Sequence, residues 1–182
     1  MTLRADIEAD RLDSPVPAGA HDDIKALYEY WCGLTPNGEM PGRQHFDPLD
    51  IPHLLPNIWL LEIHREPLRF WRRVVGSRIE EFAGRNLTKS WVAERLGEER
   101  LSSVHHNLTQ VVESKQPSWR SGKSLIYFEK DFTDLERLYL PMSSDGEMVD
   151  MILAMTVFYP VKFFNMGDVE QGTIRIVQSN AV

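Results

Sequence analysis

One segment, residues 68–87 with the sequence LRFWRRVVGSRIEEFAGRNL, most constrains what the chain can fold into. It begins with a run of aromatic and β-branched residues, which is typical of a β-strand. Gly76 interrupts that run, and Ile79 and Phe82 then lie three residues apart, as on one face of a helix. Gly84 is placed to end this helix in the left-handed conformation that glycine adopts most easily. The segment therefore predicts a strand, a glycine turn, a helix and a glycine stop in close succession.

The composition excludes several classes of protein. The chain has 182 residues, enough for one domain with a sizeable core, and its single cysteine, Cys32, excludes an intramolecular disulfide and a multi-cysteine zinc site. A net charge of -7 argues against a general nucleic-acid binder. No stretch approaches the roughly 18 apolar residues of a membrane span, and residues 1–20 lack the apolar core of a signal peptide. We therefore expect a cytoplasmic protein without nucleic-acid or membrane partners.

The N-terminal part of the chain divides into an arm and a helix. Residues 1–20 are rich in proline and offer little to bury, so we expect a mobile arm. From His21 onward, apolar residues recur at helical spacing and form one stripe. This stripe either packs on its own domain or forms a homodimer seam with the same helix of a second chain. In the second case the interface residues are Ile24, Leu27, Tyr28 and Trp31.

The rest of the chain alternates between strand and helix patterns. Residues 98–114 carry an apolar stripe at helical period and predict the longest helix, while residues 88–97 are expected to form a helical linker. Residues 148–159 are apolar on both faces, which predicts a strand covered on both sides. The predicted strands are, in order, residues 57–63, 68–75, 118–128, 135–142 and 148–159.

Short motifs in a fixed order point to a family. They are P-x-R (41–43), F-D-P (46–48), L-L-P (54–56), R-R-V-V-G-S (72–77), G-R-N-L-T (84–88) and L-P-M-S-S-D-G (140–146). Together they cover most of residues 28–159 and resemble a family of stand-alone bacterial PAS-like proteins. The segment 68–87 likewise resembles the opening of a PAS domain, a small sensory module.

The resemblance implies an α+β fold. We expect a PAS-like five-stranded antiparallel sheet with helices on one face, and the N-terminal helix packing on the sheet or on a dimer partner. The domain would span residues 21–160 and be followed by a C-terminal extension, residues 161–182. The implied function is a non-catalytic sensor in signal transduction. No output segment follows in the sequence, so we expect it to act through a separate effector protein or by self-association.

The G-R-N-L stretch tests one cofactor directly. Flavin-binding light-oxygen-voltage PAS domains carry a similar G-R-N-C stretch, whose cysteine forms the photoadduct. The corresponding residue here is Leu87, which cannot form a thioether bond to a flavin. A covalent flavin photoadduct is therefore excluded, and the cofactor remains unknown.

The resemblance also places a small-molecule pocket between the sheet and the 98–114 helix. By strand alternation Trp71 and Arg73 share one face, while Phe70, Arg72 and Val74 share the other, so each face carries an arginine. An inward arginine would bind an anionic ligand group such as a carboxylate, whereas a partly exposed one would form a salt bridge. Arg73 matches the arginine ahead of V-G-S/T in the family pattern and is assigned the binding role. The candidate pocket residues are Trp71, Arg73, Trp91, His105, Tyr127 and Tyr139.

His105 has two interpretations. It falls within the apolar stripe of the 98–114 helix. Haem-binding PAS sensors take their axial histidine from the corresponding helix, so a haem-binding sensor is one alternative. The other is a core histidine hydrogen-bonded to a neighbour. No other haem signature accompanies His105.

Catalytic motifs are missing from the sequence. His45, His53 and His64 lack metal-ligand spacing, and neither a nucleophile elbow nor a phosphate-binding glycine loop occurs. We therefore expect no enzyme, although scattered polar groups can converge in space. The main rival to a ligand-binding sensor is a structural adaptor with a filled core.

Overall fold

The structure is a computed structural model that describes residues 15–35, 39–94, 98–123 and 134–159. Three α-helices lie within these ranges: α1 (Asp22–Gly33), α2 (Ser77–Ala83) and α3 (Glu98–Ser114). The strands are β1 (Ile58–His64), β2 (Arg69–Val75), β3 (Ser90–Trp91), β4 (Ser118–Lys123), β5 (Asp134–Met142) and β6 (Met151–Phe158).

The strands form one antiparallel sheet in the order β3-β2-β1-β6-β5-β4. The predicted α+β architecture with an antiparallel sheet is confirmed, and the number of strands in the described residues is six rather than five. The additional strand, β3, pairs Trp91 with Trp71 and Ser90 with Arg72. This strand lies where the sequence predicted a helical linker. It was missed because two residues are too few to show the alternation of a strand.

The sheet has two covered faces. On the inner face, α3 packs through Leu108 and Val111 on a core that includes Trp59 of β1 and Tyr139 of β5. On the outer face, α1 packs on a second core that includes Leu138, Leu140 and Met142 of β5. Covering both faces explains why β6 is apolar at every position except Thr156.

A β-bulge in the β1–β2 hairpin sets which side chains of β2 point inward. Leu60 lies opposite Val74 and Leu61 lies opposite Arg72, so Arg73 is the extra residue. Phe70 and Arg72 lie opposite the inner-face residues Ile63 and Leu61, and beyond the bulge Val75 points inward while Val74 is exposed. The prediction that Val74 shares a face with Phe70 and Arg72 is wrong, because strict alternation ends at the bulge.

Helix α1 packs on its own domain. Ile24 and Leu27 are completely buried against the outer core, and each such side chain contributes about 1.5–3 kcal/mol of burial free energy. The indole Nε1 of Trp31 donates a hydrogen bond of 3.0 Å to the carbonyl of Pro141 in β5. Ile24 and Leu27 therefore pack within their own chain, and the homodimer interface stays a prediction. Tyr28 and Trp31 are only half-buried.

The boundaries of the domain remain predictions. Val16 and Ala20, in the predicted N-terminal arm, are buried against the outer core, so packed structure begins before residue 21. The predicted extension, residues 161–182, lies outside the described residues. No helix in the described ranges is long and apolar enough to cross a membrane.

Two glycines position α2. A Cβ atom at Gly76 would lie 2.3 Å from the carbonyl oxygens of Leu55 and Pro56, so only glycine allows this close approach. Gly84 ends α2 with φ of 66°, in the left-handed conformation that the sequence predicted. Together they place α2 between the end of β2 and the following loop.

Candidate functional site

A cleft of about 250 Å³ opens between the β2–β3 edge of the sheet and the N-terminal half of α3. Its walls are mostly apolar, with charged groups from Arg69 and Glu94 at its margin. We call this the edge cleft. Its lining residues are Arg69, Phe70, Trp91, Val92, Ala93, Glu94, Leu101 and His105.

The buried side chain of Arg72 holds the β3 wall of the edge cleft in place. It is only 2% exposed. Its Nη1 atom donates to the carbonyl of Trp91 at 2.7 Å and to the hydroxyl of Ser90 at 3.0 Å, and Nη2 donates to the carbonyl of Val92 at 3.3 Å. The guanidinium thus replaces the hydrogen bonds that a two-residue strand cannot supply by itself.

His105 forms the floor of the edge cleft and has both ring nitrogens engaged. Its Nε2 atom lies 3.0 Å from the carbonyl oxygen of Leu68. Since a carbonyl only accepts, Nε2 carries the proton, and Nδ1 accepts from the hydroxyl of Thr109 at 3.3 Å. The ring also meets Phe70 edge-on, with centroids 5.3 Å apart. A haem iron would have to displace one of these two hydrogen bonds.

Aromatic and cationic side chains cluster around Trp91. The guanidinium of Arg69 lies 4.2 Å from the Trp91 ring centroid, within the range of a cation–π contact. Trp71, directly opposite on β2, meets the same ring edge-on at 4.9 Å. Trp71 itself does not line the edge cleft. These contacts fix the orientation of the Trp91 ring that forms one wall.

Arg73 lies away from the inner face. Its side chain is exposed, and its Nη1 atom pairs with the carboxylate of Glu62 at 3.2 Å. Phe70 and Arg72 share the inner face by strand alternation, so Arg72 is the inward arginine of the pair. An inward placement of Arg73 is therefore wrong, while its role in binding a ligand stays a prediction.

The other predicted pocket residues are divided. Of the six, Trp91 and His105 meet at the edge cleft. Tyr139 is buried in the inner core without lining the cleft. Tyr127 lies outside the described residues. Leu87, the position of the photoadduct cysteine in light-oxygen-voltage domains, is a buried inner-core residue.

A row of polar side chains crosses the inner face and was missed by the sequence reasoning. Arg120, Arg137 and Thr156 lie directly opposite one another on β4, β5 and β6. Thr156 accepts a hydrogen bond of 2.9 Å from the indole of Trp59, and Arg120 donates to Gln110 of α3 at 2.6 Å. The two adjacent charged residues, Glu136 and Arg137, in the otherwise apolar run 135–142 were the available signal.

On the outer face, Glu136 joins the sheet to the start of α1. This buried carboxylate accepts from Trp119 Nε1 at 3.0 Å, from the amide of His21 at 3.1 Å and from the hydroxyl of Tyr159. Burial raises the pKa of Glu136, but these hydrogen bonds outweigh it and the pKa is lowered. Burial and the nearby Glu136 raise the pKa of Tyr159 to about 12.

Glu80 of α2 organises the loop that leads to β3. Its Oε1 atom accepts from the amides of Leu87 at 2.9 Å and Thr88 at 3.0 Å. Burial raises the pKa of Glu80, yet the hydrogen bonds from these groups outweigh it and lower the pKa. Within the described ranges, no group of three metal-ligating side chains occurs.

Most of the chain matches one known protein family. A family model described as PAS domain matches residues 20–157, which is most of the chain. The chain belongs to the PAS domain family. PAS domains are generally sensory or regulatory modules without catalytic activity. A search of curated proteins finds no match to this PAS domain.

Proposed function

We propose that this PAS domain is a non-catalytic sensor that binds a small molecule between the sheet and α3. The observation that carries the proposal is the edge cleft, where apolar walls surround a few fixed polar groups. This combination is typical of ligand sites. Its volume of about 250 Å³ lies just below the roughly 300–1,000 Å³ of pockets for drug-sized ligands, which favours a compact metabolite over haem or flavin.

The polar groups of the edge cleft indicate how such a ligand would be held. His105 would offer its ring face, because its nitrogens are engaged with Leu68 and Thr109. Trp91 supplies an aromatic wall, and Arg69 can leave its cation–π position to pair with an anionic group. The bound molecule would thus replace contacts that the lining residues make with one another, such as the cation–π contact between Arg69 and Trp91.

We propose that binding is transmitted across the sheet to α1. The link would be Glu136, which contacts the backbone just before α1 from a strand that also contacts α3. A shift of the sheet would change how α1 is seated, and a partner with different affinity for the two states would respond. The partner would be a separate effector or a second copy that contacts Tyr28 and Trp31, whose rings stack at 6.4 Å.

Native mass spectrometry of the freshly purified full chain tests this function. An excess mass lost on denaturation is expected in the natural protein and not in Leu101→Trp, whose larger side chain would fill the edge cleft. Ser102→Trp places the same ring at an exposed position of α3 and should keep the extra mass. A protein without extra mass, and without thermal shift across a metabolite panel, would favour the structural adaptor. The same spectrum reports whether the protein is a homodimer.

A further inference from the structure

Arg137 carries unused hydrogen-bonding capacity on the inner face. The residue is 8% exposed, and its Nε and Nη2 atoms are buried without a hydrogen-bond partner among the described residues. It forms no salt bridge within that same part of the chain. A buried guanidinium in this state is unfavourable, because the desolvated charge is not compensated.

The two unpartnered atoms lie on one edge of the guanidinium. In arginine, the Nε–H bond and one Nη2–H bond run parallel on the same side of the planar group. This is the edge that binds both oxygens of a carboxylate in a bidentate pair. The free donors of Arg137 are therefore arranged as a matched pair and not as two unrelated defects.

A second arginine adds to the positive charge. Arg120 lies directly opposite Arg137 on β4, and like charges at opposed positions repel each other. Arg120 binds Gln110 of α3 through Nη2, and its own Nε is also buried without a partner in the described residues. An anion between the sheet and α3 would relieve this repulsion.

We propose that Arg137, assisted by Arg120, binds the carboxylate of a small organic acid on the inner face. A carboxylate has one charge and two coplanar oxygens, which match one guanidinium edge. Tyr139 lies two residues along β5 on the same face, and Trp59 binds Thr156 directly opposite Arg137, so aromatic residues lie near the position and suit an acid with an apolar body. Phosphate is less suitable because a second charge costs more to desolvate.

This carboxylate site is separate from the edge cleft. Its residues lie on β4 and β5 beneath the C-terminal half of α3, and none of them lines the cleft. The site therefore stands independently of a ligand in the cleft. Leu101→Trp, which fills the cleft, should leave the carboxylate site intact.

Thermal unfolding of the full chain with sodium benzoate tests the proposal, with benzamide as the neutral analogue and chloride at matched ionic strength. Benzoate at millimolar concentration should raise Tm by about 3 °C or more in the natural protein and in Leu101→Trp. Arg137→Met should abolish that shift and, without benzoate, should raise Tm, because an uncompensated buried charge is removed. Arg73→Met, at an exposed arginine, should change neither result.

Several outcomes would overturn the carboxylate site. They are the lack of a benzoate shift, an equal shift with benzamide, a benzoate shift that survives Arg137→Met, and a marked loss of Tm in that variant without benzoate. A shift with inorganic phosphate alone would also reject a carboxylate. If Arg137→Met does not fold, the Arg137 Nε–H resonance of the natural protein, assigned with Arg137→Lys, should move with benzoate and not with benzamide.

Discussion

On the outer face of the sheet, the buried carboxylate of Glu136 accepts three hydrogen bonds, whereas on the inner face the buried guanidinium of Arg137 has two nitrogens without a described partner. Both groups lie on β5, in adjacent positions that point to opposite faces. The hydrogen bonds of Glu136 satisfy this carboxylate internally and connect the outer face to the start of α1. On the inner face, the edge cleft and the unpaired donors of Arg137 are the features on which the two proposed binding sites rest.

The largest effect should come from the packing of the outer face. Leu27→Ala removes a fully buried side chain, so the free energy of unfolding should fall by about 3 kcal/mol, within the usual 2–5 kcal/mol for such a change. Leu49→Ala is the matched control, because Leu49 is 80% exposed and its loss should cost less than about 0.5 kcal/mol. Urea denaturation measures both. Equal effects would show that α1 is not docked as described.

The neighbouring arginines of β2 should differ strongly on the same measurement. Arg72→Gln breaks the hydrogen bonds to the carbonyls of Trp91 and Val92 and should cost about 2–3 kcal/mol. Arg73→Gln removes one exposed salt bridge and should cost about 0–0.5 kcal/mol. If Arg73→Gln lowered the free energy of unfolding more than Arg72→Gln, the described faces of β2 would be wrong and Arg73 would be the inward arginine.

The Glu136 network should show a defined pH dependence. Because the pKa of Glu136 is lowered in the folded state, its ionised form adds stability above its unfolded pKa of about 4.3, and this is lost as pH falls through the folded value. Glu136→Gln should therefore cost about 2 kcal/mol at pH 7 and progressively less below about pH 4. Denaturation curves across this range measure the difference. Glu29→Gln, on the exposed side of α1, should cost almost nothing at either pH.

The sequence predicted the parts of the fold that depend on local pattern. Residues 98–114 were predicted as a helix, and α3 has those bounds because its apolar stripe has helical period. The inward arginine was misplaced because Arg73 was chosen by its match to a motif, and Val74 was misplaced because the β-bulge at Arg73 depends on the pairing of two strands. Glu136 was missed because its partner His21 lies 115 residues away in the sequence. Motifs identified the family, but contacts between distant residues determine the geometry of the site.

The smallest predicted effect concerns the hydrogen bond between Thr109 and His105 at the edge cleft. Thr109→Val removes the hydroxyl that donates to Nδ1, so the free energy of unfolding should fall by about 1 kcal/mol. Nitrogen-15 NMR of the imidazole should show the Nε2-protonated tautomer in both proteins, because the Leu68 carbonyl still requires a donor. Ser102→Ala, at an exposed position of α3, serves as the control and should leave stability unchanged. A proton on Nδ1 in the natural protein would contradict the described hydrogen bonds and leave Nε2 free to face the cleft, where it could bind a ligand directly.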